Sequence, residues 1–130
     1  MRPKFRAWIS EADTMTNDLK GIDFENETVV LRKLYYEDGF PVETEVFEVE
    51  IGNAILMQST GLRDKNGQEI FEGDIVQFSD SLYTVFYDIK EGSYRLKPHD
   101  DRWVIDYMSN FSSDESFEIA GNIYENKEYL

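Results

Sequence analysis

The chain has 130 residues and a mass of 15.3 kDa, with 27 acidic against 13 basic side chains, a net charge of −14 and no cysteine. The missing cysteine excludes disulfides, iron–sulfur clusters, thiolate zinc sites and cysteine nucleophiles, and one histidine, His99, cannot build a His-rich metal site. Leu, Ile, Val and Phe make up 35 of the 130 residues, enough apolar weight for a folded core in one domain or two small ones.

The charge is spread along the chain, with a net of −6 over residues 1–60 and −8 over residues 61–130. Neither half has the basic footprint of a nucleic-acid binder. A field of this sign repels phosphates and anionic lipids and attracts basic proteins and cations. Solubility alone also accounts for it. The segment Met1–Ser10 is basic at Arg2, Lys4 and Arg6 but has no apolar stretch behind it, so no secretory signal is expected. No apolar run is long enough to span a bilayer. The expectation is a cytoplasmic protein with neither nucleic acid nor membrane as partner.

Alternation of apolar and polar residues dominates over helical periodicity and predicts half-buried strands. Lys4–Ile9 reads as a strand with Phe5, Ala7 and Ile9 on one face, followed by a turn over Ser10–Asp13. Met15–Asn26 fits neither period and reads as a loop with a helical turn. Val29–Tyr36 is a strand, and Glu37-Asp38-Gly39 with Pro41 is a turn signal. Val42–Ile51 is the clearest strand. Its alternation slips at Val46–Phe47, which predicts a β-bulge there. Strands follow at Ile55–Ser59, Gln68–Phe71, Ile75–Phe78, Leu82–Asp88, Ser93–Leu96, Arg102–Tyr107 and Phe117–Ile123, with a loop over Asn110–Ser116 and a terminal helical turn over Glu125–Leu130. Asp64-Lys65-Asn66-Gly67 is a strong turn. A calcium loop would need glycine two positions later. Leu62, Ile70, Ile75 and Val76 are the expected core side chains around it. The spacing of the strands suggests a small barrel or sandwich, with a smaller β-rich unit over 1–53 and a second over 54–130.

Three segments carry a resemblance. They are Lys4-Phe5-Arg6-Ala7-Trp8; the run Leu56-Met57-Gln58-Ser59-Thr60-Gly61-Leu62-Arg63-Asp64-Lys65-Asn66-Gly67-Gln68-Glu69-Ile70-Phe71-Glu72-Gly73-Asp74-Ile75-Val76; and Ile119-Ala120-Gly121-Asn122-Ile123-Tyr124-Glu125-Asn126. In this order they resemble the YopX family of phage and prophage proteins. The resemblance departs at Ala120, where a valine-like residue is usual, and at Lys127, where proline is common. It implies an SH3-like small β-barrel for the C-terminal part and a chain encoded by a phage, prophage or plasmid. It carries no established activity and no catalytic, cofactor or metal residues.

The residues themselves offer few chemical candidates. Carboxylate pairs occur at Glu43/Glu45, Glu48/Glu50, Glu72/Asp74 and Asp100/Asp101, but with 27 acids such adjacency is uninformative about glycosidase-type chemistry. The series Glu43, Glu45, Glu48 and Glu50 reads either as the solvated face of a charge-protected edge strand or as a docking face for a basic partner. His99 has no nucleophile or orienting group near it in sequence and reads as a solvent-exposed loop residue. Trp103 and Tyr107 would share a strand face with Ile105, as core or as an interface anchor.

The sequence therefore reads as a mainly β, non-enzymatic phage or prophage accessory protein that acts by protein binding, without cofactor. Its expected partners are a second copy of itself and a basic host or phage protein. The alternatives are an acidic mimic of nucleic acid that occupies a basic host protein, and a carboxylate-dependent enzyme.

Overall fold

The computed structural model describes residues 4–17, 19–107 and 117–130. Arg2 and the loop expected over Asn110–Ser116 lie outside the described residues. Nearly all regular structure is β, as the alternation predicts, and the chain forms two compact units. One is Phe5–Leu56; the other is Met57–Leu130 with Lys4. No helix among the described residues is long and apolar enough to cross a membrane.

In the first unit β1 (Phe5–Ile9) pairs antiparallel with β2 (Thr14–Thr16), matching Ala7 to Thr16 and Ile9 to Thr14. Beside them runs a meander of β3 (Leu19–Asp23), β4 (Thr28–Glu37) and β5 (Phe40–Glu50). Ala7, Ile9, Val29, Leu31 and Ala54 form the core, with Leu19, Val49 and Leu56 packed against it. Burying each such Val, Leu or Ile is worth about 1.5–3 kcal/mol. Ala7 and Ile9 take their expected places, but Phe5 is exposed.

Two readings of this unit are corrected. Among its described residues the segment from Met15 to Asn26 contains no helical turn; it supplies most of β2 and all of β3. Its failure to match either period has a cause. The β3–β4 register shifts between Leu19 and Gly21, and a bulge breaks alternation by one residue. The turn after it is held by Asp23, whose Oδ1 accepts the backbone N–H of Glu25 and of Asn26, both at 3.1 Å. The second correction concerns β5. No bulge occurs at Val46–Phe47: the ladder is continuous from Thr28↔Glu50 to Tyr35↔Glu43. The shift lies between Tyr35 and Tyr36, where Tyr36 pairs with Pro41 and Val42 is left over. Proline cannot donate to a ladder, so pairing breaks beside it. Asp38 and Gly39, at φ 52° and 81°, make the two-residue turn of this hairpin, the geometry that an Asp-Gly pair favours.

The strand β6 (Ala54–Arg63) begins in the first unit and continues into the second. There it pairs with β7 (Glu69–Phe71). A curled antiparallel sheet follows, built from β8 (Asp74–Phe78), β9 (Ser81–Asp88), β10 (Ser93–Pro98), β11 (Asp106–Tyr107) and β12 (Glu118–Asn122), in the order β11-β10-β9-β8-β12. Ile70, Val76, Val85, Leu96 and Phe117 are its core, with Leu62, Phe78, Tyr83, Tyr94 and Ile119 against them. Ile75 is also fully buried, so all four core residues expected around the central motif face inward. The chain ends in a short 3-10 turn over Lys127–Tyr129.

The turn Asp64–Gly67 is held from within. Asp64 is buried; its Oδ1 accepts the N–H of Asn66 and of Gln68 at 2.9 Å each, and its Oδ2 accepts the N–H of Ile119 at 3.1 Å. The carboxylate thus serves the backbone as the turn reading requires. Asp64→Ala leaves three amides without this acceptor, and the expected loss is about 3 kcal/mol of stability, read by urea denaturation. Asp64→Asn should lose less, because one amide oxygen still serves Asn66 and Gln68 while its Nδ2 meets the Ile119 donor. Equal stability of Asp64→Ala and wild type would remove this account of the motif.

Candidate functional site

Exposed apolar side chains and exposed glutamates occur together on the β4–β5 hairpin. Among the described residues β3 pairs with β4 as far as Leu31, from Arg32 to Val46 the ladder is two strands alone, and β5 lies at the edge of its sheet. A two-stranded ribbon in water is marginal without further support. Part of that support is Tyr35, whose hydroxyl donates to Glu45 Oε2 at 2.6 Å. That hydrogen bond, then burial and the charges of Glu45 and Glu43, push the Tyr35 phenol above its ordinary range.

The continuous register assigns each side chain to a face. Glu43 and Glu45 stand opposite Tyr35 and Lys33, on the face that carries Val29, Leu31, Phe47 and Val49 nearer the core. Glu48 and Glu50 stand opposite Val30 and Thr28, on the other face. All four glutamates are exposed. The structure therefore divides the acidic series between two faces, two and two, and does not bring it onto one. The second face also carries Leu34, Tyr36 and Val46; Tyr36 and Val46 are 61% and 51% exposed. Phe40 and Val42 add to the exposed tip. Clusters of exposed large apolar side chains mark interaction sites more often than isolated ones do. This strip was missed in sequence, although its signal was present. The phase slip at Val46–Phe47 marks the point where β5 leaves the core and its apolar side changes face.

The second unit places the aromatic pair differently from expectation. Arg102–Tyr107 is not a strand; only Asp106 and Tyr107 pair, with Leu96 and Arg95. Trp103 is therefore not core. It lies in a bend and is more than half exposed, beside exposed Val104 and Ile105. The bend is pinned by Asp100, which accepts from Arg102 Nη2 at 2.6 Å and from Nε at 3.0 Å. These bonds hold the Asp100 carboxyl down at about 2. Tyr107 is half-buried and packs under Arg95, whose Cζ sits 4.5 Å from the ring centroid. Arg95 Nη1 donates to Asp88 Oδ2 at 3.0 Å and Nη2 to the Ile105 carbonyl at 3.3 Å, while the Tyr107 hydroxyl donates to Glu91 Oε2. These contacts join β10 to β11 and to the β9–β10 turn. Arg95, Asp88 and Glu91 carried no sequence signal beyond their residue type.

His99 is not a free loop residue. Pro98 still pairs with Tyr83, which keeps the chain beside β9, and His99 N–H donates to the Leu82 carbonyl at 3.0 Å. The half-buried ring bonds the Thr84 hydroxyl through Nε2 at 2.7 Å. The paired carboxylates of the central motif are acceptors too. Glu72 Oε1 takes the N–H of Gln58 and Asp74 Oδ2 that of Phe71, each at 2.8 Å.

Against known proteins, the chain matches the family model described as YopX protein over residues 4–130. It belongs to the YopX family. Among solved structures it is similar to the crystal structure of protein EF1440 from Enterococcus faecalis, at 28% identity and a TM-score of 0.65, with 100% of this chain and 99% of that one covered. No curated protein matches it. Family membership and this fold carry no activity with them, so function has to be argued from surface and charge.

The Arg95 clamp has a measurable signature. Its hydrogen bond to Asp88, helped by the backbone N–H groups of Glu91 and Lys90, lowers the Asp88 carboxyl below 3.8. A lowered folded-state value means the interaction stabilises above pH 3.8 and is lost as pH falls through the folded value. The carbon-detected NMR titration of Asp88 should have its midpoint below 3.8, moving upward in Arg95→Gln. An unchanged midpoint would assign the shift to the turn amides alone.

Proposed function

We propose that this YopX-family member is a non-enzymatic phage or prophage accessory protein that acts by binding a basic protein through the β4–β5 ribbon. The observation that carries the reading is the ribbon itself: an open edge strand with four exposed glutamates and exposed apolar side chains at its tip. The net charge of −14 steers a basic partner in and raises its association rate. Among the described residues the carboxylates Asp23, Asp88 and Asp100 are held below their ordinary range, and each accepts hydrogen bonds inside its own turn or bend, a structural use of these acids. The nucleic-acid mimic gains less, since β5 presents two glutamates per face and no longer row. Separate domains over 1–53 and 54–130 belong to the same proposal, the first for docking and the second an SH3-like small barrel. The antiparallel β8–β9–β10 meander flanked by β12 supports that description, and two distinct cores support two units, the first core reaching Ala54 and Leu56.

Self-association has its own support in the strip of Leu34, Tyr36 and Val46. Light scattering at micromolar concentration should report a species heavier than 15.3 kDa, and Tyr36→Lys with Val46→Lys should return it to that mass. A wild type of 15.3 kDa throughout would end this part of the proposal.

For the basic partner, reversal of Glu43, Glu45, Glu48 and Glu50 to Lys in a folded variant should lower the association rate at least tenfold. The wild-type rate should fall steeply as salt shortens the Debye length. A partner that ignores both salt and the reversal would overturn docking on β5, leaving the glutamates as solubilising charge.

A further inference from the structure

The geometry points to β-strand addition as the mode of recognition: the open edge of β5 accepts an extended segment with basic residues in the spacing basic-x-basic-x-x-basic-x-basic. This inference rests on the reading of the ribbon as a docking surface and names the partner's chemistry.

Three observations lead to it. β5 ends its sheet, so among the described residues no strand faces its outer backbone N–H and C=O groups. Such an edge is a template for an added strand, whose main chain supplies affinity and whose alternate side chains supply specificity. The ladder over Glu43–Glu50 runs without a shift, so this stretch of β5 offers a regular edge of eight residues. The glutamates then set the pattern. Glu43 and Glu45 project from one face and Glu48 and Glu50 from the other. An incoming strand keeps its neighbours face for face. Cations opposite all four must therefore be separated by two, three and two residues. That order reads the same in both directions, so parallel and antiparallel addition demand one motif.

Charge complementarity selects the occupant. On β4 the residues opposite Glu43, Glu48 and Glu50 are Tyr35, Val30 and Thr28, none of them a cation, while Lys33 stands opposite Glu45, so four glutamates face one directly opposed cation. A second copy added edge to edge would line the seam with eight glutamates, which repel. A strand with its cations at even spacing would meet only one pair, because residues two apart share a face.

The test uses the full chain and two synthetic peptides of equal charge, with threonine and valine at the remaining positions. One has lysines at positions 1, 3, 6 and 8, the other at 1, 3, 5 and 7. Fluorescence anisotropy should show the first binding at least about fivefold tighter, the scale of two cross-strand charge pairs. Amide hydrogen exchange should slow on β5. Glu43→Gln with Glu45→Gln, and separately Glu48→Gln with Glu50→Gln, should each erase the preference. Glutamine keeps a side-chain oxygen for the Tyr35 hydroxyl that Glu45 accepts, and circular dichroism checks that the ribbon stays folded. N-methylation of alternate residues in the first peptide should abolish its binding.

Equal binding of both peptides, lost in the glutamine variants, overturns strand addition while docking on an acidic face survives. Tight binding with unchanged β5 exchange also overturns it, as does protection of β5 by the protein's own concentration without peptide, the sign of a second copy on the edge. Failure of both peptides at millimolar concentration removes strand addition, and the salt and charge-reversal test of association rate then decides docking separately.

Discussion

The ladder between β4 and β5 keeps one register from Thr28↔Glu50 to Tyr35↔Glu43, and the arrangement of the first unit follows from that continuity. A strand has two faces and a period of two, so each pairing commits every later side chain. With Val29 and Leu31 committed to the core, Phe47 and Val49 must share their face, and so must Glu43 and Glu45 beyond them. Glu48, Glu50 and Val46 are then forced to the other side. The irregularity is pushed outward to Pro41 and Val42, next to the Asp38-Gly39 turn, where a missing N–H costs least. One sheet segment thus serves as core wall at its base and as a two-sided ribbon at its end.

The second unit depends on a different device. Its strands are joined by tight turns whose backbone amides are taken up by buried or half-buried polar side chains. Asp64 serves three amides, and Asn122 Oδ1 takes the N–H of Tyr124 and of Glu125. Asn126 Oδ1 returns to the N–H of Asn122. A side chain at Gly121 would place its Cβ 2.3 Å from that oxygen, so only glycine lets Asn126 reach its partner. The segments that carry the YopX resemblance are in large part these turns and the core residues beside them.

The acidic residues divide by job. Asp23, Asp64, Asp74, Asp88, Asp100 and Glu72 accept from nearby amides or arginines and hold turns. Among the described residues the glutamates of β5 hold no turn, and Glu45 takes the Tyr35 hydroxyl. An edge strand that carries exposed charge is either guarded against pairing or set for a particular partner. The two outcomes differ in whether the charge pattern, beyond its sum, governs what binds.

Composition and alternation determined the mainly β class, the strands β1, β4–β10 and β12, the turns at Asp38-Gly39 and Asp64–Gly67, the short terminal helical turn, and the core places of Leu62, Ile70, Ile75 and Val76. These are local matters: a side chain's polarity and a turn's φ are properties of a few adjacent residues. Motif order determined the family. Tertiary structure decided the rest. It made β2 and β3 from a segment whose bulge hid its period, and it moved the β5 bulge to Pro41. It brought His99 against Thr84, and left Trp103 in solvent while Tyr107 packed under Arg95. It also split the glutamate series between two faces. The same apolar alternation is written for a strand backed by a core and for one that runs past it. Only the neighbouring strand, ending at Leu31, settles where burial stops.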